Sequence, residues 1–279
     1  MKITIIGLGC VAVADALALA RNHEVVLTGP VPDRVEAINR GQYGLRDPLL
    51  ADYLAENTLN LRAMLDTSEA LAGADMVLVS TPLTRDPVTG RPDLVELDTR
   101  VEFVARNLPA APIVVRSAVP VGYCESRRVE LKGAKIVYAP EFCHEGQMLS
   151  DILYPEFLIV GDRYALGQRV LGMLKSAAVR TDMPIHQMDL TEAERIRQFS
   201  GLYHSVPLGA GRGAEKDERQ QRDEMEQSAA PPSFPATDPE NEIAAVGTGV
   251  VAMPQSGSAM HIEMLAPITT SQAAYSPCF

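Results

Sequence analysis

The 279-residue sequence carries a net charge of −11, with 46% hydrophobic and 22% charged residues. This mixture belongs to a globular protein and excludes wholesale disorder, while the acidity argues against binding nucleic acid or an anionic membrane through bulk charge. The length allows one large domain or two ordinary ones.

Cys10, Cys124, Cys143 and Cys278 lie far apart, without the spacing of a metal site. They read as reduced thiols of a cytoplasmic protein, with no metal expected. No run of about 18 apolar residues offers a membrane span. Met1 leads into a strand at once, without the apolar core and small-residue cleavage site of a signal peptide.

Along the first 200 residues, short β-branched runs alternate with longer amphipathic stretches. The predicted strands are Lys2–Ile6, Glu24–Thr28, Met76–Ser80, Ile113–Ser117, Ile136–Tyr138 and Phe157–Val160. The predicted helices are Val11–Arg21, Pro32–Arg40, Pro48–Glu56, Leu94–Asn107, Ser126–Leu131 and Tyr164–Ala178. Strands this apolar, separated by helices, call for a parallel sheet covered on both faces. The fold class is therefore α/β, a Rossmann-like doubly wound parallel sheet over residues 1–189. A further helix begins near Leu190, with Asp189 or Thr191 as cap and Glu192 and Glu194 suited to its positive end. Its pattern fails after Phe199, which leaves a helix stub over 190–206. Residues 207–279, with the charge run Glu215–Glu226 and the segment AAPPSFPATDPENE, read as a disordered tail.

Directly after the first strand stands Gly7-Leu8-Gly9-Cys10-Val11-Ala12, the G-x-G-x-x-[G/A] pattern in its strand–turn–helix setting. Gly7 permits the tight turn, Gly9 lets backbone approach a pyrophosphate, and Ala12 lets helix and strand pack closely. The helix amides and dipole favour phosphate, so the loop points to a dinucleotide. The acid expected about 20 residues on, at the tip of the second strand, is Gly29. Arg34 follows and could meet a 2′-phosphate, so NAD and NADP both stay open; equally, Arg34 could be a solvated helix charge.

Beyond the loop, a series of segments resembles the UDP-glucose 6-dehydrogenases, within the UDP-glucose/GDP-mannose dehydrogenase family. They are the opening MKITIIGLGCVAV, Asn22–Val26, Leu59–Arg62, Gly73-Ala74-Asp75, Ser80-Thr81-Pro82, Ser117–Gly122, Ala139–Phe142 with Glu145-Gly146, Leu153-Tyr154-Pro155 and Thr191–Glu194. They follow in the family's order over about residues 1–203. The resemblance implies a cytoplasmic, NAD-dependent oxidation of UDP-glucose, or a related nucleotide sugar, to UDP-glucuronate for polysaccharide biosynthesis. Two hydride transfers and a cysteine-bound intermediate carry it. By position, Gly7, Gly9, Val11, Ala12, Arg34, Thr81, Pro82 and Glu145 would contact the cofactor. Glu141, which manages a water in the family, and Glu145, beside nicotinamide and substrate, would be catalytic. The resemblance implies no nucleic-acid or membrane partner.

Several positions depart from the family. Leu83 replaces a threonine, Ala118 the threonine that helps position the water, and Arg116 the lysine before it. The catalytic lysine and its asparagine fall on Arg197 and Gly201; a guanidinium that is always protonated cannot shuttle a proton. Nothing matches the glycine-rich segment holding the nucleophilic cysteine, and Cys278 lacks its neighbours. Pro207 breaks the helix that builds the family homodimer, so that dimer is not expected. The expectation is an impaired dehydrogenase from a truncated, fused or frameshifted gene. The alternative is a non-catalytic NAD(P)-binding module or a decayed remnant.

Overall fold

The computed structural model describes residues 1–86 and 89–205, with side chains up to residue 200. The tail expected over 207–279, and Cys278 within it, lie outside the described residues.

The chain runs β1 (Lys2–Ile6), α1 (Cys10–Ala20), β2 (Glu24–Thr28), α2 (Pro32–Asn39), α3 (Leu50–Glu56), β3 (Leu61–Met64), α4 (Thr67–Leu71) and β4 (Met76–Val79). It continues with α5 (Val95–Asn107), β5 (Ile113–Val115), α6 (Tyr123–Glu130), β6 (Ile136–Tyr138), α7 (Met148–Leu153), β7 (Leu158–Gly161), α8 (Ala165–Ala177), β8 (Ile185–Met188) and α9 (Leu190–Ser205). The strands form one sheet in the order β3-β2-β1-β4-β5-β6-β7-β8. The order reverses between β1 and β4, and the glycine loop leaves β1 at that switch point. In open α/β sheets ligands bind there.

Alternation along the strands explains why both faces are covered. Ile3, Ile5, Val25, Leu27 and Leu78 turn to a core closed by α1, α2, α7 and α8. Ile6, Val77, Val79, Ile113 and Val115 turn to a second core closed by α5, α6 and α9. The interior is doubly wound, as the uninterrupted apolar strands require. Helix α1 has no solvent face: Ala12 to Ala20 are all buried, which accounts for its run of alanines and leucines.

The sheet is the expected doubly wound, mostly parallel one, with a single antiparallel pairing among the described residues. β6 and β7 pair antiparallel at Tyr138 and Gly161, because the connection through the six-residue α7 returns the chain to the sheet edge it left. β3, β8, α4 and α7 are further elements beyond those predicted. Helix α9 continues past Phe199 to Ser205. Gly161 lets it approach the sheet: a Cβ there would stand 3.1 Å from the Ala193 Cβ. The free-thiol expectation holds at Cys124 and Cys143.

Candidate dinucleotide and carboxylate site

The glycine loop is shaped by sterics. Gly7 has φ +140°, and a Cβ there would stand 2.1 Å from the Ser80 carbonyl oxygen at the end of β4. The Gly7 amide donates to the Thr28 carbonyl at 2.9 Å, which draws the loop across the tip of β2. Gly9 is open by comparison: a Cβ would meet Pro82 Cγ at 3.6 Å. Gly9 is also the N-cap of α1 and offers no side-chain cap, and the first turn holds no acid. First-turn amides such as those of Val11 and Ala12 therefore lack a competing carboxylate, and the dipole of an 11-residue helix lies behind them. A pyrophosphate fits this cradle, with Pro82 as the opposite wall.

The other expected cofactor residues divide. Thr81 is buried and fixed: its amide donates to Ser117 Oγ at 2.9 Å, Ser117 Oγ donates to its carbonyl, and Arg100 donates to its hydroxyl at 3.0 Å. It shapes the loop after β4 with its hydrogen bonds already assigned. Pro82 and Glu145 are exposed. Arg34 lies beside the loop, with Nε donating to the Leu8 carbonyl at 3.4 Å and Nη2 to the Tyr43 carbonyl.

Glu141 sits where β6 opens into the next loop and is nearly buried. Arg197 of α9 donates to its Oε1 at 2.8 Å, and the Cys143 amide donates to Oε2 at 2.9 Å. Burial alone would raise this carboxyl, but Arg197, the Cys143 amide and the nearby Arg116 charge outweigh it and hold it below the usual range. The Arg197 guanidinium also lies 5.8 Å from the Phe142 ring centre, and Phe142 meets Phe157 edge-on at 4.9 Å. The two departures at Arg116 and Arg197 thus converge on one carboxylate. Arg197 holds Glu141 as its ion-pair partner, and this arrangement offers no proton-accepting amine.

One important residue, Asp15, escaped the sequence reading, and a second, Glu194, serves another helix than the one expected. Asp15, in the middle of α1, is buried and receives Arg116 Nε and Nη2, each at 2.8 Å; Arg116 Nη1 donates to the Ala139 carbonyl at 2.9 Å. The pair ties the helix that starts at the glycine loop to the backbone just before Glu141. Burial pushes the Asp15 carboxyl up against the pull of Arg116. Arg116 could be suspected from the family comparison, but Asp15 carries no signal beyond an acid inside an apolar helix. Glu194 is fully buried and accepts from the Gly122 amide at 2.6 Å and the Cys124 amide at 2.8 Å, capping α6 from α9. Of the two free thiols, Cys124 is buried and Cys143 half-buried. Burial pushes both up, Cys124 with the further push of Glu194, and Cys143 against the counter-pull of Arg116. Asp15, Arg116, Glu141, Phe142 and Cys143 line a cavity of about 100 Å³, well below the roughly 300 Å³ at which ligand pockets begin. Among the described residues, no group of His, Cys, Asp and Glu could hold a metal ion, and no helix is long and apolar enough to cross a membrane.

Residues 1–173 match the UDP-glucose/GDP-mannose dehydrogenase family, NAD binding domain. The chain belongs to this family. It is similar to the UDP-glucose 6-dehydrogenase of Streptococcus pneumoniae, 31% identical over 73% of this chain and 53% of that one. The UDP-glucose 6-dehydrogenase of Campylobacter jejuni is 29% identical, over 75% and 54%. Among solved structures, a UDP-glucose dehydrogenase from Pyrobaculum islandicum superposes with a TM-score of 0.62 at 26% identity, covering 72% of this chain and 49% of that one. A GDP-mannose dehydrogenase from Pseudomonas aeruginosa gives 0.65 at 22% identity, over 74% and 50%, and shares the fold. The chain spans about half the length of the relatives it matches. The family's cofactor is NAD(H).

Proposed function

We propose that this chain binds NAD(H) as a member of the UDP-glucose 6-dehydrogenase group and is impaired, as it stands, in oxidising UDP-glucose to UDP-glucuronate. Bound NAD would supply the hydride acceptor. Gly7, Gly9, Val11 and Ala12 would hold the pyrophosphate, Thr81 and Pro82 would form the wall of the nicotinamide side, and Glu145 would face cofactor and sugar. The observation that carries the impairment is the ion pair between Arg197 and Glu141 at 2.8 Å. A carboxylate that must steer a water is instead the fixed partner of a permanently charged guanidinium. Burial also suppresses both free thiols, so neither supplies the covalent step.

The test is to incubate the purified chain with UDP-glucose and NAD and follow NADH. No NADH is expected, and release of two NADH per sugar would overturn the impairment. A second reading, a non-catalytic NAD(P)-binding module that works beside an intact dehydrogenase, draws on the same lock at Glu141. It is distinguished by a gain in the partner's activity when the two are mixed. Polysaccharide biosynthesis and a cytoplasmic setting belong to the same proposal, with a nucleotide sugar as the small-molecule partner. The proposal includes neither nucleic acid nor the family homodimer. The loss of resemblance beyond about residue 203 is read as a fusion or a frameshift, which sequencing the locus for the family's second half in another frame would test.

A further inference from the structure

The adenosine end of the cofactor site differs from its pyrophosphate end. NAD-specific Rossmann sites hold the ribose diol with a carboxylate at the tip of the second strand, and that carboxylate repels a 2′-phosphate. Here the tip is Gly29, and the space its side chain would take is filled. A Cβ at Gly29 would stand 2.7 Å from Leu8 Cγ and 2.9 Å from Leu8 Cδ1. Leu8 itself is buried. The backbone does not demand glycine, since Gly29 is outside the left-handed region. Leu8, the variable residue between the loop glycines, has replaced a ribose acceptor with a methyl-bearing plug.

Other carboxylates near the tip do not take over the role. Asp66, just after β3, is spent as the cap of α4, accepting from the Ser68 amide at 2.8 Å and the Glu69 amide at 3.0 Å. Asp33 is exposed in the first turn of α2. Thr28 Oγ1 is engaged with Thr67 Oγ1 at 3.2 Å.

Arg34 supplies the opposite charge. Its half-buried guanidinium is held by two main-chain carbonyls, Leu8 O and Tyr43 O, and packs against Gly44, where a Cβ would stand 2.7 Å from Nη1. Among the described residues it has no carboxylate partner, whereas Arg100, Arg116, Arg127 and Arg197 all have one. Burial is the cause of the downward push on Arg34, with no neighbouring acid to oppose it. A pre-positioned, partly desolvated cation with unspent N–H donors, beside a phosphate-binding loop, is a built acceptor for an anion.

We propose that Leu8, Gly29 and Arg34 make the adenosine-ribose subsite accept a 2′-phosphate, so that this chain binds NADP(H) as readily as NAD(H). The proposal rests on the reading of the loop as a dinucleotide site. The test is calorimetric titration of the full chain with NAD, NADP, AMP and adenosine 2′,5′-bisphosphate. NADP is expected to bind within about threefold of NAD or tighter, and the bisphosphate to bind more tightly than AMP. Arg34→Gln is expected to weaken NADP by about tenfold more than it weakens NAD. Arg34→Lys keeps the charge and should retain part of the NADP affinity, which separates loss of the anion contact from damage to the loop. Leu8→Ala combined with Gly29→Asp should turn the preference towards NAD. NAD binding more than about threefold tighter than NADP, or Arg34→Gln weakening both cofactors equally, overturns the proposal and leaves the dinucleotide reading intact. If neither dinucleotide binds, the dinucleotide reading falls and this proposal with it.

Discussion

At the glycine loop, two residues of the same type are held in place for different reasons, and substitution separates them. Gly7 is required by the fold, since its φ is +140° and a Cβ would strike the Ser80 carbonyl. Gly7→Ala is expected to cost more than about 2 kcal/mol of stability, read as a lowered urea midpoint. Gly9 has room for a methyl in the folded chain, so Gly9→Ala should leave the midpoint nearly unchanged while weakening NAD binding. Arg197 makes a pH-dependent prediction. Glu141 titrates lower in the folded chain than its ordinary 4.5, so the stability it adds is present above pH 4.5 and is lost as pH falls through the lowered value. Arg197→Gln should therefore cost about 2 kcal/mol near pH 7. The difference between the two proteins should shrink below about pH 4.5, as denaturant melts across that range would show.

Between elements, the buried contact from α1 to the segment before Glu141 runs through Asp15 and Arg116. Asp15→Leu leaves a guanidinium buried without its counter-charge and is expected to cost about 3–5 kcal/mol, whereas Asp15→Leu with Arg116→Met should recover most of that loss. Urea melts of the single and double variants check this. The same pair shows what the sequence could and could not disclose. Strands β1, β2, β4 and β5 and the long helices were legible because their apolar runs have one period and clear ends. β3 and β8 were not: Leu61–Met64 and Ile185–Met188 are short edge strands with an arginine or a histidine among their residues. α4 and α7, at five and six residues, show too little of a helical period to read. The loop glycines and the glutamate of the Pro-Glu-Phe segment were legible from motif and spacing. That Arg197 would pair with Glu141, that Leu8 would fill the place of a side chain at position 29, and that Glu194 would cap another helix were not. Each depends on residues 21 to 72 positions apart meeting in the fold, a relation that local pattern does not carry.

On the scale of the whole molecule, the described residues form a doubly wound sheet whose switch point carries the glycine loop. In the same sheet, Glu141 is ion-paired with Arg197. Residues 1–173 match the family's NAD binding domain, and the proposed impairment of the oxidation rests on the Arg197–Glu141 ion pair. The most direct measurement is a calorimetric titration of the full chain with NAD. Saturable binding to one site per chain, abolished or strongly weakened in Gly9→Ala, is the expected result. Absence of saturable binding in a folded chain, or binding that Gly9→Ala leaves untouched, would contradict it.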